Sequence, residues 1–200
     1  MAASSWQDAV PAWSVDAAHQ LAESAAVVGN TQASAELIAR IAAVSTGALE
    51  AGNKLLLCGN GGSAADASHI ATELTARYKL ERRALAAVAL GTDMAFVTAV
   101  SNDYAFERVF AREIEALGRP GDVLWAFSTS GKSRNVLLAV DAAREQGLTT
   151  VGFTGRGGGE LPSAVDLCLR VPSDDTPRIQ EAHITAAHVI CDLIERALAG

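Results

Sequence analysis

Aromatic residues make up only 5% of the 200-residue chain, and cysteine occurs three times. With so few rings, the apolar half of the composition falls mainly to Ala, Val, Leu and Ile, a mix suited to helices packed on a buried sheet. Cys58, Cys168 and Cys191 are odd in number, far apart and set among apolar residues. That pattern predicts reduced thiols and excludes a disulfide framework or a thiolate metal site. Basic residues are outnumbered, 16 Lys and Arg against 23 Asp and Glu, for a formal net charge of −7. A broad electrostatic grip on nucleic acid or an anionic membrane is excluded, while a local anion pocket stays open. No run approaches the ~20 apolar residues of a membrane span. Met1–Gln7 lacks the basic start and apolar stretch of a secretory signal, so the expected location is cytoplasmic.

Half the residues are hydrophobic and 20% are charged, which suits one folded domain with a full core. Met1–Val10 is weakly patterned and expected to be loose. From Trp13 to Val28, apolar residues at Val15, Ala18, Leu21, Ala22 and Ala25 form a helical stripe that stops at Gly29-Asn30. A second helix, capped by Thr31 or Ser34, carries Leu37, Ile38, Ile41 and Val44 on one face and reaches about Ala51. This apolar stripe predicts a partner copy to cover it. Residues 1–52 therefore read as an N-terminal helical segment at an oligomer interface, and residues 53–200 as the domain proper.

The hydrophobic period then changes. Short apolar runs at 54–58, 86–90, 122–127, 149–153 and 167–171 read as five strands, with helices at about 64–78, 96–100, 106–117, 135–146 and 177–198. The alternation predicts an α/β fold, a five-stranded, mostly parallel sheet with helices on both faces. Ligands of such sheets bind at the carboxyl ends of strands, where two small-residue loops fall. Gly59-Asn-Gly-Gly-Ser63 joins a strand to a helix. It lacks the third glycine of a dinucleotide fingerprint and the lysine of a P-loop, so it reads equally as a tight turn or a binding loop. Ser128-Thr-Ser-Gly-Lys-Ser133 places four hydroxyls in six residues after a strand, a pattern that points to phosphate binding. His69 and Glu73 share a helix face, as an ion pair or as a catalytic pair.

Taken together, Gly59–Ser63, Asp66, His69, Glu73-Leu-Thr-Ala-Arg77, Ser101-Asn-Asp-Tyr104, Ser128–Gly131, Ser133, Arg178-Ile-Gln-Glu-Ala-His183 and His188 resemble the sedoheptulose-7-phosphate (phosphoheptose) isomerases, which are SIS (sugar isomerase) domain proteins. The resemblance covers nearly the whole chain. It implies a three-layer sandwich with two leading helices, a homotetramer with active sites at subunit interfaces, and a bound Zn2+. It also implies conversion of sedoheptulose 7-phosphate to D-glycero-D-manno-heptose 7-phosphate, the first step toward nucleotide-activated heptose. By the same resemblance Glu73 is the general base and His188 the general acid. His69, Glu73, Gln180 and His188 are the zinc ligands. Asn60, Gly61, Gly62, Ser63, Arg77, Asn102, Asp103, Ser128, Thr129, Ser130, Ser133 and Gln180 bind substrate. The chemistry matches these residue types, since aldose–ketose exchange moves a proton between C1 and C2 through an enediol and needs a base at carbon and an acid–base group at the oxygens. The sequence departs from the family pattern at Ala64-Ala65, at Pro177 and around Gly91-Thr-Asp93.

Two other readings share the same loops. One is a non-catalytic SIS protein that binds the replication initiator DnaA; the other is a sugar-phosphate isomerase of a specialised pathway. Glu73 and His188, with His69, favour the enzyme. The expected partners are a sugar phosphate and further copies of the chain, with no nucleic acid and no membrane.

Overall fold

The computed structural model describes residues 6–199. Helix α1 spans Trp6–Asn30, a 3-10 turn follows at Thr31–Ser34, and α2 spans Ala35–Glu50. Of the stretch expected to be loose, residues 6–10 form the first turns of α1, and residues 1–5 lie outside the described residues. Strands β1 (Leu55–Gly59), β2 (Ala87–Ala89), β3 (Val123–Phe127), β4 (Thr149–Thr154) and β5 (Leu167–Arg170) alternate with α3 (Gly62–Thr75), α4 (Met94–Asp103), α5 (Val109–Leu117), α6 (Arg134–Glu145) and α7 (Leu161–Ala164). The long α8 (Thr176–Leu198) closes the chain.

The strands pair in the order β2-β1-β3-β4-β5, and every pairing is parallel. Of the three inner strands, β1 and β3 are buried on both faces along their whole length, which is why they read as unbroken apolar runs. The period-2 alternation then divides the core. Leu55, Leu57, Trp125, Phe127 and Phe153 pack with α2, α3 and α8, while Leu56, Cys58, Leu124 and Ala126 pack with α5 and α6. The result is the three-layer sandwich that the resemblance implied.

The stripe on α2 is the clearest correction. Ile38 and Ile41 are buried within the chain, and Leu37 and Val44 pack on the same core, because α8 folds back across α2. No second copy is needed to cover it. The uncovered apolar helix is instead α1, which buries none of its residues and leaves Trp6, Trp13, Val15 and Leu21 more than half exposed. The stretch read as one helix over 106–117 begins as a 3-10 turn at Phe106–Arg108 before α5, and the four-residue α7 was not read from the sequence, since it is too short to carry a period. Cys58 and Cys191 are buried and Cys168 is half-buried, all three as thiols. Burial pushes Cys191 up to about 12 and Cys168 to about 11, so neither is a nucleophile.

Trp125, wholly buried in β3, donates its indole N–H to Ser45 Oγ of α2 at 3.2 Å. Trp125→Phe should destabilise the protein by about 2–3 kcal/mol in urea unfolding, through lost volume and an orphaned buried hydroxyl. Adding Ser45→Ala should recover part of that loss, because both partners of the bond are then absent.

Candidate active site

The strand order reverses between β1 and β3: the crossover after β1 leads to β2 on one side, and the one after β3 leads to β4 on the other. Their carboxyl ends therefore flank the crevice where ligands of open α/β sheets bind. The loop after β1 is drawn tight by close approaches. A Cβ on Gly59 would sit 2.8 Å from Ser63, and Gly61 has a positive φ of 56°. The loop after β3 is equally constrained, because Gly131 (φ 63°) lies so close to the Gly158 carbonyl that a Cβ has no room.

Asn60 and Asn135 join the two loops. Each amide donates to the other's carbonyl, at 2.9 and 2.8 Å, and Asn135 also accepts the N–H of Val136. Asn135 is buried and was not singled out in the sequence; a lone Asn at a helix start carries no pattern. Ser128 Oγ donates to Ser133 Oγ at 3.0 Å, and Ser130 Oγ accepts the N–H of Lys132 at 3.2 Å. Thr129 and Ser130 face a cavity of about 320 Å³ that Lys132, Arg156 and Gly157–Gly159 also line. Gln180, in the second turn of α8, lays its amide over Gly62 and reaches Ser63 Oγ at 3.5 Å. The glycine at 62 leaves the space that this amide fills. The structure thus gathers Asn60, Gly61, Gly62, Ser63, Gln180 and the 128–133 hydroxyls at one end of the sheet.

A second group forms where α3 crosses α8. His69 Nε2 lies 2.9 Å from His188 Nε2 and 3.2 Å from Glu73 Oε1, and the three ligand atoms fall within 4.8 Å of one another. The Tyr78 ring stacks on His188 at 5.5 Å between centroids, a support no sequence pattern announced. One ring proton cannot serve both close neighbours of His69 Nε2 well, whereas a divalent cation would use a lone pair from each. Two imidazoles and a carboxylate also suit zinc by type, so the residues fit the metal that the resemblance implied. Burial holds His188 below its ordinary value; His69 and Lys79 push the same way and Glu73 opposes them. Burial thus favours the neutral ring, the form that can ligate a metal.

Asp66, one turn before His69, has an orphaned buried carboxylate oxygen, and burial pushes its pKa up to about 6 although His69 opposes the rise. Three residues stand apart. Arg77 is exposed and pairs with Glu81 at 3.8 Å, and Asn102 donates to its neighbour Asp103 at the exposed end of α4. Among the described residues, no hydrogen bond or ion pair ties them to the two loops or to the histidines. His183, unlike the other site histidines, is a core residue. It is fully buried between Phe127, Phe153 and the Thr154 carbonyl, with Nδ1 unpaired.

A parallel sheet with hydroxyl-lined loops at its switch point is the architecture of SIS-domain proteins, and the sequence profile of the SIS domain matches residues 19–155. The chain is 62% identical over 147 residues to the phosphoheptose isomerase of Roseiflexus sp., covering 74% of this chain and 75% of that one. It is 53% identical over 163 residues to that of Akkermansia muciniphila, with 82% and 86% covered. The structure of phosphoheptose isomerase from Neisseria gonorrhoeae superposes with a TM-score of 0.87 at 42% identity, over 92% of this chain and 99% of the other. That of the Francisella tularensis enzyme gives 0.86 at 38% identity, with 92% and 98% covered. The chain belongs to the phosphoheptose isomerase family.

Burial lowers His183 from 6.5 to about 4, the Thr154 carbonyl resisting the fall. Between those values the unfolded chain binds the extra proton and the native one does not, so stability drops as pH falls from 6.5 to 4. The cost reaches ~3 kcal/mol at the acid end. Asp66, raised in the native state, acts in the opposite direction over the same window. Comparison with His183→Gln isolates the histidine: urea unfolding at pH 7 and pH 4 should show the wild type losing about 3 kcal/mol relative to the variant.

Proposed function

We propose that this chain is an aldose–ketose isomerase that converts sedoheptulose 7-phosphate to D-glycero-D-manno-heptose 7-phosphate, the entry step to nucleotide-activated heptose. The observation that carries the reading is the convergence of His69, Glu73 and His188 on α3 and α8, the helices that also bring Ser63 and Gln180 together, in a chain so similar to phosphoheptose isomerases. The hydroxyls of Ser63, Ser128, Thr129, Ser130 and Ser133, with backbone N–H groups at the starts of α3 and α6, hold the phosphate by dipoles, which suits a chain of net charge −7. Asn60, Gly61, Gly62 and the Gln180 amide meet the sugar, and the Asn60–Asn135 pair fixes the gap between the loops.

Glu73 takes the proton from the reacting carbon and returns it to the neighbouring one, passing through an enediol. His188 donates to and accepts from the substrate oxygens, its ring held in place by Tyr78. His69, Glu73, Gln180 and His188 are the residues proposed to hold Zn2+. When bound, the ion polarises the carbonyl and hydroxyl oxygens of the substrate. Gln180 and His188 stand eight residues apart, ~12 Å along α8, so Gln180 is the outlying member of the set. A metal-bound carboxylate is a weaker base, and the two roles of Glu73 therefore compete.

The same reading includes a cytoplasmic homotetramer. Among the described residues, no helix is long and apolar enough to cross a membrane. The segment up to residue 52 would form the interface through the exposed apolar residues of α1, and Arg77, Asn102 and Asp103 would complete the site of a neighbouring copy.

Glu73→Gln keeps the shape of the base and removes its basicity. Turnover should fall by about 10²–10⁴-fold with substrate binding retained. Normal isomerisation, with solvent deuterium entering the product at the wild-type rate, would show that another residue is the base. Light scattering at micromolar concentration should return four times the chain mass, and a mass near one chain would remove the tetramer.

A further inference from the structure

We infer that Glu195 is a positioning residue for this site: with Arg82 it straps the end of α3, and the Tyr78 ring beyond it, to α8 at the spacing where His69, Glu73 and His188 converge. The inference rests on the reading of that group as the catalytic and metal-binding centre. Glu195 lies seven residues after His188, two turns along the same face of α8. Its side chain is 1% exposed, and so is that of Arg82, whose Nε lies 3.2 Å from Glu195 Oε1. The carboxylate accepts three successive backbone N–H groups, of Tyr78 at 3.0 Å, Lys79 at 2.7 Å and Leu80 at 2.8 Å.

Arg82 then carries the connection back into the catalytic helix. Its Nη2 donates to the Glu73 carbonyl at 2.8 Å, and its Nη1 to those of Leu74 at 2.9 Å and Arg83 at 3.0 Å. Glu73 and Leu74 are in the last turn of α3, where carbonyls lack intrahelical partners, and no glycine follows to close the helix in the usual way. The guanidinium supplies that closure, together with the Leu85 N–H that also reaches the Leu74 carbonyl. One side of the strap thus ends on the backbone of the proposed base, and the other on the residue whose ring stacks against the proposed acid. An apolar pair of the same volume would fill the space between α3 and α8, but only directional bonds set the distance and rotation of one against the other. The carboxylate stays charged: burial opposes ionisation, and the three N–H groups with Arg82 outweigh it.

The test compares wild type with Glu195→Gln and Arg82→Lys in the full chain, by zinc titration of the metal-free protein against a chromophoric chelator, by kcat and KM on the sugar phosphate, and by thermal melting. Glu195→Gln replaces one acceptor oxygen by an NH2 group and removes the charge facing Arg82, so it cannot accept all three N–H groups, and zinc affinity should fall by about 10–100-fold, the range for residues that orient metal ligands. The value of kcat should fall with it. KM should move by less than about threefold, because the phosphate contacts lie on the 128–133 loop and at the start of α3, about three turns from the strap at its other end. Arg82→Lys keeps the charge but loses the fork that holds Glu73 and Leu74; it should shift the same quantities in the same direction, and it carries the test if Glu195→Gln does not fold. Folded variants that melt lower yet keep wild-type zinc affinity and kcat would overturn the inference, leaving the strap a stabilising contact only. A wild type that isomerises without binding zinc would overturn the metal reading instead, and the fall in kcat at constant KM would then decide the role of Glu195. A wild type that neither binds zinc nor isomerises would overturn both.

Discussion

Strands β1 and β3 lie side by side and run parallel, yet the chain leaves them in opposite directions across the sheet. Their carboxyl ends therefore open a crevice that no crossover fills, and the loops bounding it must turn within a few residues to reach α3 and α6. Gly59, Gly61 and Gly131 make those turns possible where a Cβ would collide or the backbone is left-handed. The close-packed faces of β1 and β3 beneath leave the polar loops nowhere to relax. Asn60 and Asn135 then bridge the crevice with two hydrogen bonds, which satisfy the buried Asn135 amide and the partly buried Asn60 amide.

The second constraint is the crossing of α3 and α8 on one side of the sheet. Leu74, Ile70 and Ala67 on α3, and Ala187, Ile190 and Cys191 on α8, join the same buried cluster and bring the two helices together by apolar packing. Their polar edges hold the histidines and carboxylates. Hydrophobic contact brings the helices close but tolerates sliding; the directional bonds around Glu195 and Arg82 do not. The site is thus assembled by one kind of force and aligned by another. His183, on α8 but turned to the core, shows what the same residue type becomes without water or a cation: a neutral ring with a single hydrogen bond.

Much of this was legible along the chain. The five strands were found to within one residue at either end, because buried parallel strands are short apolar runs bounded by turns. The two loops stood out by composition, and His69 and Glu73 by helical spacing. The α2 stripe was read correctly as apolar and wrongly as uncovered, since periodicity reports that a face is buried and says nothing about what buries it. Asn135, Tyr78 and the Glu195–Arg82 strap went unread for a related reason. Each is a single polar or aromatic residue whose partner lies 75 to 117 residues away.

The sequence by itself determined the alternation of strands and helices, the flexible and hydroxyl-bearing loops, and the residue types available for acid–base and metal chemistry. These depend on local spacing, which is written in the order of the residues. Only the tertiary structure decided which of those residues meet. It joined His69 and Glu73 to His188 across 119 positions, set Gln180 over Gly62, left Arg77, Asn102 and Asp103 on the surface, and put His183 in the core. Such meetings follow from the strand order and from how two helices cross, and those are settled by the burial of the whole core at once rather than by any one segment.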